Sequence, residues 1–208
     1  ENFRQSRNPD IYPNSDQTKE LLSRSGFQHS HHIQLDGGAP KIRYNLSLGY
    51  LDRAGLIAQT EFKRYTLRGN FDFDISDRIN FGLNFSYIHQ KKQQPYLSIG
   101  GLVQRSYRET PVTPIQWSDG TWVAFMNEHN SVAQAEDGGY DRYTDHIFTS
   151  IGTLDIRILD GLSAKGIIAV NTDFMHTKMQ EYNLTLYNKG GVVGKKTRPF
   201  LYESSGDS

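Results

Sequence analysis

Cysteine is absent from this 208-residue chain, which removes disulfides, thiol nucleophiles and thiolate metal sites together. Net charge is absent as well. The 23 Lys+Arg residues balance 23 Asp+Glu, so no cationic excess points to nucleic acid. No window approaches the run of about 18 apolar residues that a spanning helix needs. A helical membrane protein is therefore excluded, but a β-barrel is not, because its strands alternate and average out as polar. Aliphatic content is low, with 36% hydrophobic residues and a mean hydropathy of −0.63. Aromatic content is not: 12 Tyr, 11 Phe and 2 Trp make up 12% of the chain.

The N-terminus carries no basic-then-apolar leader, and the chain opens on Glu1 within a polar stretch of residues 1–27. Residues 183–208 trail through Gly190, Gly191 and Gly194 into a Ser- and Gly-rich end. Both ends read as those of a piece of a longer chain.

What the sequence does contain is period two. Over residues 42–50 the even positions are Ile42, Tyr44, Leu46, Leu48 and Tyr50, and the odd ones are Arg43, Asn45, Ser47 and Gly49. Over residues 64–75 one side reads Tyr65, Leu67, Gly69, Phe71, Phe73 and Ile75, and the other Arg64, Thr66, Arg68, Asn70, Asp72 and Asp74. Over residues 79–87 Ile79, Phe81, Leu83, Phe85 and Tyr87 alternate with Asn80, Gly82, Asn84 and Ser86, and Ile88 then breaks the pattern. Three weaker strands lie at residues 29–37, 146–158 and about 162–182, the last with Ile167 and Met175 on its polar side. The expected fold is all-β, with about six antiparallel up-and-down strands.

The connections alternate short and long. Residues 37–40, 76–78 and 159–161 have the Gly, Asp and Pro chemistry of tight turns, whereas residues 51–62 form an intermediate loop and residues 91–144 a very long one. Short turns at one end and long loops at the other match a transmembrane barrel with short periplasmic turns. The three clean strands, at roughly 9–12 residues and about 3.3 Å per residue, would cover about 21–28 Å when tilted. Six strands do not close a barrel, and an isolated sheet of this pattern leaves two edges and a bare apolar face. A section of a large transmembrane β-barrel is thus expected. A soluble antiparallel sheet, such as a β-sandwich carbohydrate-binding module, is the alternative.

Functional candidates concentrate in the long loop, because long loops on a rigid scaffold carry recognition. Trp117, Asp119, Trp122, Asn127 and Tyr140 are the ligand-binding candidates, in a segment that also holds Tyr96, Tyr107, Gln116, Phe125, Glu128 and Asp137. Rings that stack on sugar faces and carboxylates or amides that bridge hydroxyls would suit an oligosaccharide. The same set could bind a peptide or pack the loop on itself. His29, His31 and His32 invite a metal reading, but His32 points away from the other two, so they read as polar residues at the end of a strand. Arg64, Arg68, Asp72 and Asp74 share the polar face and read as cross-strand charge pairing. No nucleophile elbow, phosphate loop or metalloprotease pattern is present. No catalytic residue, metal or cofactor is assigned.

The residues also carry a resemblance. His31-His32-Ile33-Gln34-Leu35-Asp36-Gly37-Gly38, then Gly49-Tyr50-Leu51-Asp52-Arg53-Ala54-Gly55-Leu56-Ile57 and Phe62-Lys63-Arg64-Tyr65-Thr66-Leu67-Arg68, resemble the SusC/RagA family of TonB-linked outer-membrane transporters. Tyr12-Pro13-Asn14-Ser15-Asp16, Thr110-Pro111-Val112-Thr113-Pro114, Ser118-Asp119-Gly120-Thr121 and Leu159-Asp160-Gly161-Leu162 are similar to further elements of that family. The resemblance implies a place in the bacterial outer membrane, within roughly the second to seventh strands of a barrel of about 22. Residues 1–28 would be an extracellular loop segment, residues 29–182 barrel strands and residues 183–208 a following loop. It further implies uptake of oligosaccharides or peptides together with a SusD-like surface lipoprotein, with TonB engaged through parts outside this chain.

Overall fold

The computed structural model describes residues 5, 8–126, 129–189, 191–192 and 200–207. Seven long strands form one antiparallel up-and-down sheet in the order β1-β2-β3-β4-β5-β6-β9. They are β1 (Gln28–Ala39), β2 (Ile42–Ala54), β3 (Glu61–Ser76), β4 (Ile79–Pro95), β5 (Gly139–Leu159), β6 (Leu162–Glu181) and β9 (Phe200–Asp207), and a two-residue ribbon, β7 (Tyr187–Asn188) with β8 (Gly191–Val192), stands apart. Three short helices accompany them: α1 (Gln17–Leu21), α2 (Ile99–Ser106) and α3 (Ser131–Asp137). The strands lengthen from 12 residues in β1 to 21 in β5, well beyond the 5–6 residues common in soluble sheets.

Register confirms the parity read from sequence. Ile33, Leu48 and Leu67 are successive partners, as are Tyr44, Phe71, Leu83 and, one strand further, Gly152 and Ile168. One face is thus continuously apolar from β1 to β6. Nothing covers it among the described residues: Ile33, Leu48 and Ile168 are 67%, 54% and 75% exposed. Every buried hydrophobic residue among those described lies outside the long strands, from Leu21 and Leu102 to Leu184 and Leu186. That distribution is the inverse of a soluble sandwich, whose core lies on the sheet. It is the distribution of a barrel wall facing lipid.

Gly69, the neutral position in the β3 pattern, sits on the apolar face opposite Phe85. The Phe85 ring lies where a side chain at Gly69 would go, in contact with Phe71, whose ring centroid is 6.1 Å away. Tyr44 covers Gly37 in the same way one strand pair earlier, its hydroxyl 2.7 Å from where a Cβ would stand. A large ring thereby fills the space that its glycine partner leaves open.

At the short-turn end, strands meet across Pro40–Lys41, Asp77–Arg78 and Asp160–Gly161. Gly161 takes a φ of +85°, the left-handed conformation that glycine adopts at least cost. Register shifts lie beside the second and third of these turns, at Asp74/Ser76 and Arg157/Leu159.

Several boundaries differ from the sequence reading. The first turn is two residues because β1 runs through Gly37 and Gly38 to Ala39. The very long loop occupies residues 96–138 rather than 91–144, because β4 and β5 stay paired up to Pro95 and Tyr140 although their side chains there are polar on both faces. Alternation loses its contrast where neither face is apolar, but the hydrogen-bonded ladder continues. Residues 183–208 are not all loop: β9 pairs with the long-loop half of β6, from Glu181 opposite Phe200 to Phe174 opposite Asp207. Phe200 and Tyr202 favour a strand, and pairing with an available edge carries the ladder on through the Ser- and Gly-containing residues that follow.

Candidate functional site

Four segments that precede, join or follow the strands at the long-loop end fold together into a cap. Their described residues are 8–27, 55–60, 96–126, 129–138, 182–189 and 191–192. One core cluster joins Leu21 of α1, Ile57 and Ala58 of the β2–β3 loop, Leu102 of α2, and Val132 and Ala135 of α3. A second joins Ala124 and Ala133 to Leu184 and Leu186 beyond β6. The partly buried Trp122 packs against both clusters.

Short helices are marginal alone, and each of these is capped by a side chain. Asp16 accepts from Lys19 N at 2.9 Å, Ser98 from Gly101 N at 3.2 Å and Asn130 from Ala133 N at 2.9 Å. Asn130 also donates from Nδ2 to the carbonyls of Ile115 and Val123. Glu109, its side chain 1% exposed, accepts from Ser131 N and Ser131 Oγ, and His129 Nε2 lies 3.9 Å from it. Arg24 clamps Glu136 with two bonds, 2.7 and 2.9 Å, from Nη2. That bond and the carboxylate's charge hold the Arg24 guanidinium protonated beyond its ordinary range.

Two neighbouring clefts in the cap share walls formed by Pro13 and Pro114. The larger, about 560 Å³, is lined by Asn14, Glu20, Gln116, Trp122, Glu136 and Asp137 among others. The smaller, about 230 Å³, is lined by Asp10, Trp117 and Lys189 among others. A hydroxyl-rich or cationic group suits the first cleft, where an indole stands beside carboxylates and two side-chain amides. Among the described residues no group of three or more His, Asp or Glu is arranged to hold a metal.

The candidates from sequence fall as follows. Trp122 lines the larger cleft, and its Nε1 donates to Asp137 at 2.7 Å. Trp117 lines the smaller cleft, and its Nε1 donates to the Tyr187 carbonyl at 3.3 Å. Asp119 closes the turn beside Trp117, accepting from Thr121 N at 2.9 Å and Thr121 Oγ1 at 2.7 Å, with Gly120 at a φ of +84°. The bond from the Thr121 backbone holds the Asp119 carboxyl below its ordinary pKa. Ser118 is tied by N and Oγ to Asp10. Tyr140 stands apart from both clefts, on the apolar-face side of β5, with its hydroxyl on Gln180 and Arg142 over its ring at 4.7 Å. Asn127 and Glu128 lie outside the described residues. Glu20, Asn14 and Glu136 were not among the candidates; Asn14 and Glu20 come from a segment remote from the aromatic loop, and only the fold brings them to Trp122, whereas Glu136 lies in that loop beside Asp137.

His29 and His31 do not form a metal site. They open a row of rings along the apolar face: His31, Tyr50, Tyr65, His89, His146 and Phe174 are register partners across six strands. Ring centroids are 4.9 Å apart for Tyr50–Tyr65 and 4.5 Å for His89–His146. Rings in this position, where the apolar band gives way to polar residues, form the interfacial girdle of a membrane barrel. On the opposite face Arg43 bonds Asp74 at 2.9 Å. The Arg64 and Arg68 side chains do not pair with Asp72 or Asp74; among the described residues they form no side-chain hydrogen bond or ion pair.

No protein-family model matches the chain. It is 25% identical over 117 residues to the TonB-dependent receptor P26 of Formosa agariphila, covering 56% of this chain and 11% of that protein. It is 25% identical over 112 residues to the TonB-dependent receptor SusC of Bacteroides thetaiotaomicron, covering 50% and 11%. Among solved structures, the RagAB peptide importer in its closed-closed state aligns with a TM-score of 0.67 at 18% identity over 89% of this chain and 22% of that one. The chain is similar to TonB-dependent receptors of the SusC/RagA type. Its sheet has the fold of a section of the large barrel in that importer, and its place is the outer membrane. The chain spans about a tenth of the length of these curated relatives. They are receptors, not enzymes.

Proposed function

We propose that this SusC/RagA-family section forms barrel wall and extracellular cap in a TonB-dependent transporter that imports oligosaccharides, or alternatively peptides. A SusD-like surface lipoprotein closes over the capped end, and TonB acts through parts of the receptor outside this chain. The observation that carries this reading is the asymmetry of one sheet: a bare apolar face, turns of two residues at one end and a folded, clefted cap at the other. A soluble sandwich has no use for that face.

Transport needs no covalent step from this chain. The cap captures solute, and Trp122 with Glu20, Gln116 and Asp137 supplies the contact surface. Trp117 borders the neighbouring cleft and Asp119 closes the turn beside it, while Tyr140 stands outside both clefts. The sugar reading rests on an indole beside acceptors able to bridge hydroxyls, and the peptide reading on the carboxylates, which suit a basic residue or an amino terminus.

The test uses the complete receptor with its lipoprotein. Wild type and a Trp117→Ala/Trp122→Ala variant, matched for assembled barrel in the outer membrane, are compared for uptake of a labelled oligosaccharide mixture and a labelled peptide mixture. Loss of uptake of one class supports the capture role and names the cargo. Unchanged uptake of both removes the cap clefts from the route.

A further inference from the structure

Just beyond the ring row on the apolar face, the sheet sets like charges opposite one another twice. Lys63 of β3 is the register partner of Lys91 of β4, and Arg142 of β5 is the partner of Lys178 of β6. Gln93 faces Arg142 and Thr144 faces Lys91, so the four cations form one strip across four adjacent strands, all on the side of the membrane-facing rings. Directly opposed like charges destabilise a sheet. Carboxylates compensate only the ends of the strip. Lys63 lies 3.8 Å from Asp52 and 3.9 Å from Glu61, and Lys178 lies 4.0 Å from Glu203.

The middle has no such partner. Lys91 is exposed and its ammonium forms no hydrogen bond or ion pair among the described residues, and Arg142 spends Nε and Nη2 on the neutral Gln93 oxygen while its guanidinium lies over Tyr140. Neither charge is compensated by a carboxylate among the described residues, so each can meet an anion that arrives from outside. Lys91 stands two residues beyond His89 of the ring row, about 7 Å along the strand, which is headgroup depth when the rings mark the edge of the apolar band.

We propose that Lys91 and Arg142, flanked by Lys63 and Lys178, form a binding site for the phosphorylated headgroup of an outer-leaflet glycolipid. The inference rests on the extracellular placement of the capped end. A phosphate fits the middle of the strip because its oxygens can accept from both cations and from Thr144, removing the repulsion that the sheet otherwise carries. Basic side chains at a membrane interface commonly recognise anionic headgroups in this way.

The complete receptor is reconstituted in phosphatidylcholine nanodiscs doped with a phosphorylated diglucosamine glycolipid or with its dephosphorylated form. Retained glycolipid is quantified by native mass spectrometry. Wild type should prefer the phosphorylated form, and Lys91→Gln/Arg142→Gln should reduce that preference on the order of twentyfold. Lys91→Arg should keep it. Equal retention of the two glycolipids, or an undiminished preference in the double variant, overturns the proposal. Displacement of the glycolipid by millimolar inorganic phosphate would make this a free-anion site and also overturns it. So does loss of lipoprotein co-purification in the double variant with lipid preference intact, which would assign the strip to a protein partner. A bromolipid-quenched probe at Leu83 in the same discs reports membrane contact independently, and accessibility of Lys189 from the cell exterior reports the side of the cap. Failure of the lipid site is thereby separated from failure of the orientation beneath it.

Discussion

The buried Glu109 carboxylate takes both hydrogen bonds that Ser131 can give it, from the backbone N at 2.9 Å and from Oγ at 2.8 Å. One side chain after α2 thus fixes the first turn of α3, and the two helices that frame the cap core are coupled through it. Glu109→Ala should leave the Ser131 donors unpaired at a cost of about 1–3 kcal/mol. Hydrogen exchange should then speed up across residues 131–138 and remain unchanged in β3 and β4. Glu109→Gln, which keeps an acceptor, should show the smaller effect.

The Phe85 ring over Gly69 leads to a second expectation. Gly69→Val puts a branched side chain into space the ring occupies, and overpacking of this kind costs about 1–3 kcal/mol. Folded receptor recovered from the outer membrane, read by its heat-modifiable gel mobility, should fall. Adding Phe85→Ala should restore part of it, because the collision is then removed. A double variant no better than Gly69→Val would show that the glycine serves something other than the ring.

The Asp119 turn should respond to pH with a definite sign. Its carboxyl is held below the ordinary value of 3.8 by the Thr121 backbone bond. A depressed folded pKa contributes stability that is fully present above the unfolded value and lost as pH falls through the folded one. Protection of the Thr121 amide should therefore be constant from neutral pH down to about 4 and decline below it. In Asp119→Ala it should be low throughout.

Trp122 offers a way to separate packing from recognition. Its ring packs against both cap clusters while Nε1 reaches Asp137. Trp122→Phe should keep most of the packing and lose the bond to Asp137, whereas Trp122→Ala should lose both, at about 3–5 kcal/mol for a large aromatic truncation. Capture of solute that survives Trp122→Phe but not Trp122→Ala would mean that the ring matters through the cap's shape. Loss in both variants would mean that the indole N–H and Asp137 act together on the ligand.

How much of this was legible in the sequence follows from where the apolar residues lie. In β2, β3 and β4 one face meets lipid and the other a polar interior, so alternation is strict and every strand declares itself. The three exceptions, Ile88, Ile167 and Met175, do not shift the register. The cap was not legible. Its core takes single residues from segments far apart in the chain, such as Leu21, Ile57, Leu102 and Val132, and its helices of 5, 8 and 7 residues are too short to show a period. The capping residues Asp16, Ser98 and Asn130 were a readable signal, but the aromatic density of the loop drew the reading toward Trp117 and Trp122 as ligand contacts. In the structure both indole N–H groups already have acceptors within the cap. The strip of opposed cations needed register, because Lys63 and Lys91, or Arg142 and Lys178, become neighbours only once the strands are paired.

The central claim is that the face bearing Leu46, Leu83 and Leu154 meets lipid while the face bearing Asn45, Asn84 and Thr153 lines the barrel interior. Single-cysteine substitutions at these six positions in the otherwise cysteine-free barrel section, each labelled with a bimane probe in the complete receptor and reconstituted with brominated lipids, test it directly. Strong bromolipid quenching at residues 46, 83 and 154, with none at 45, 84 and 153, is the predicted result. Quenching at the polar set, or at neither set, would contradict it.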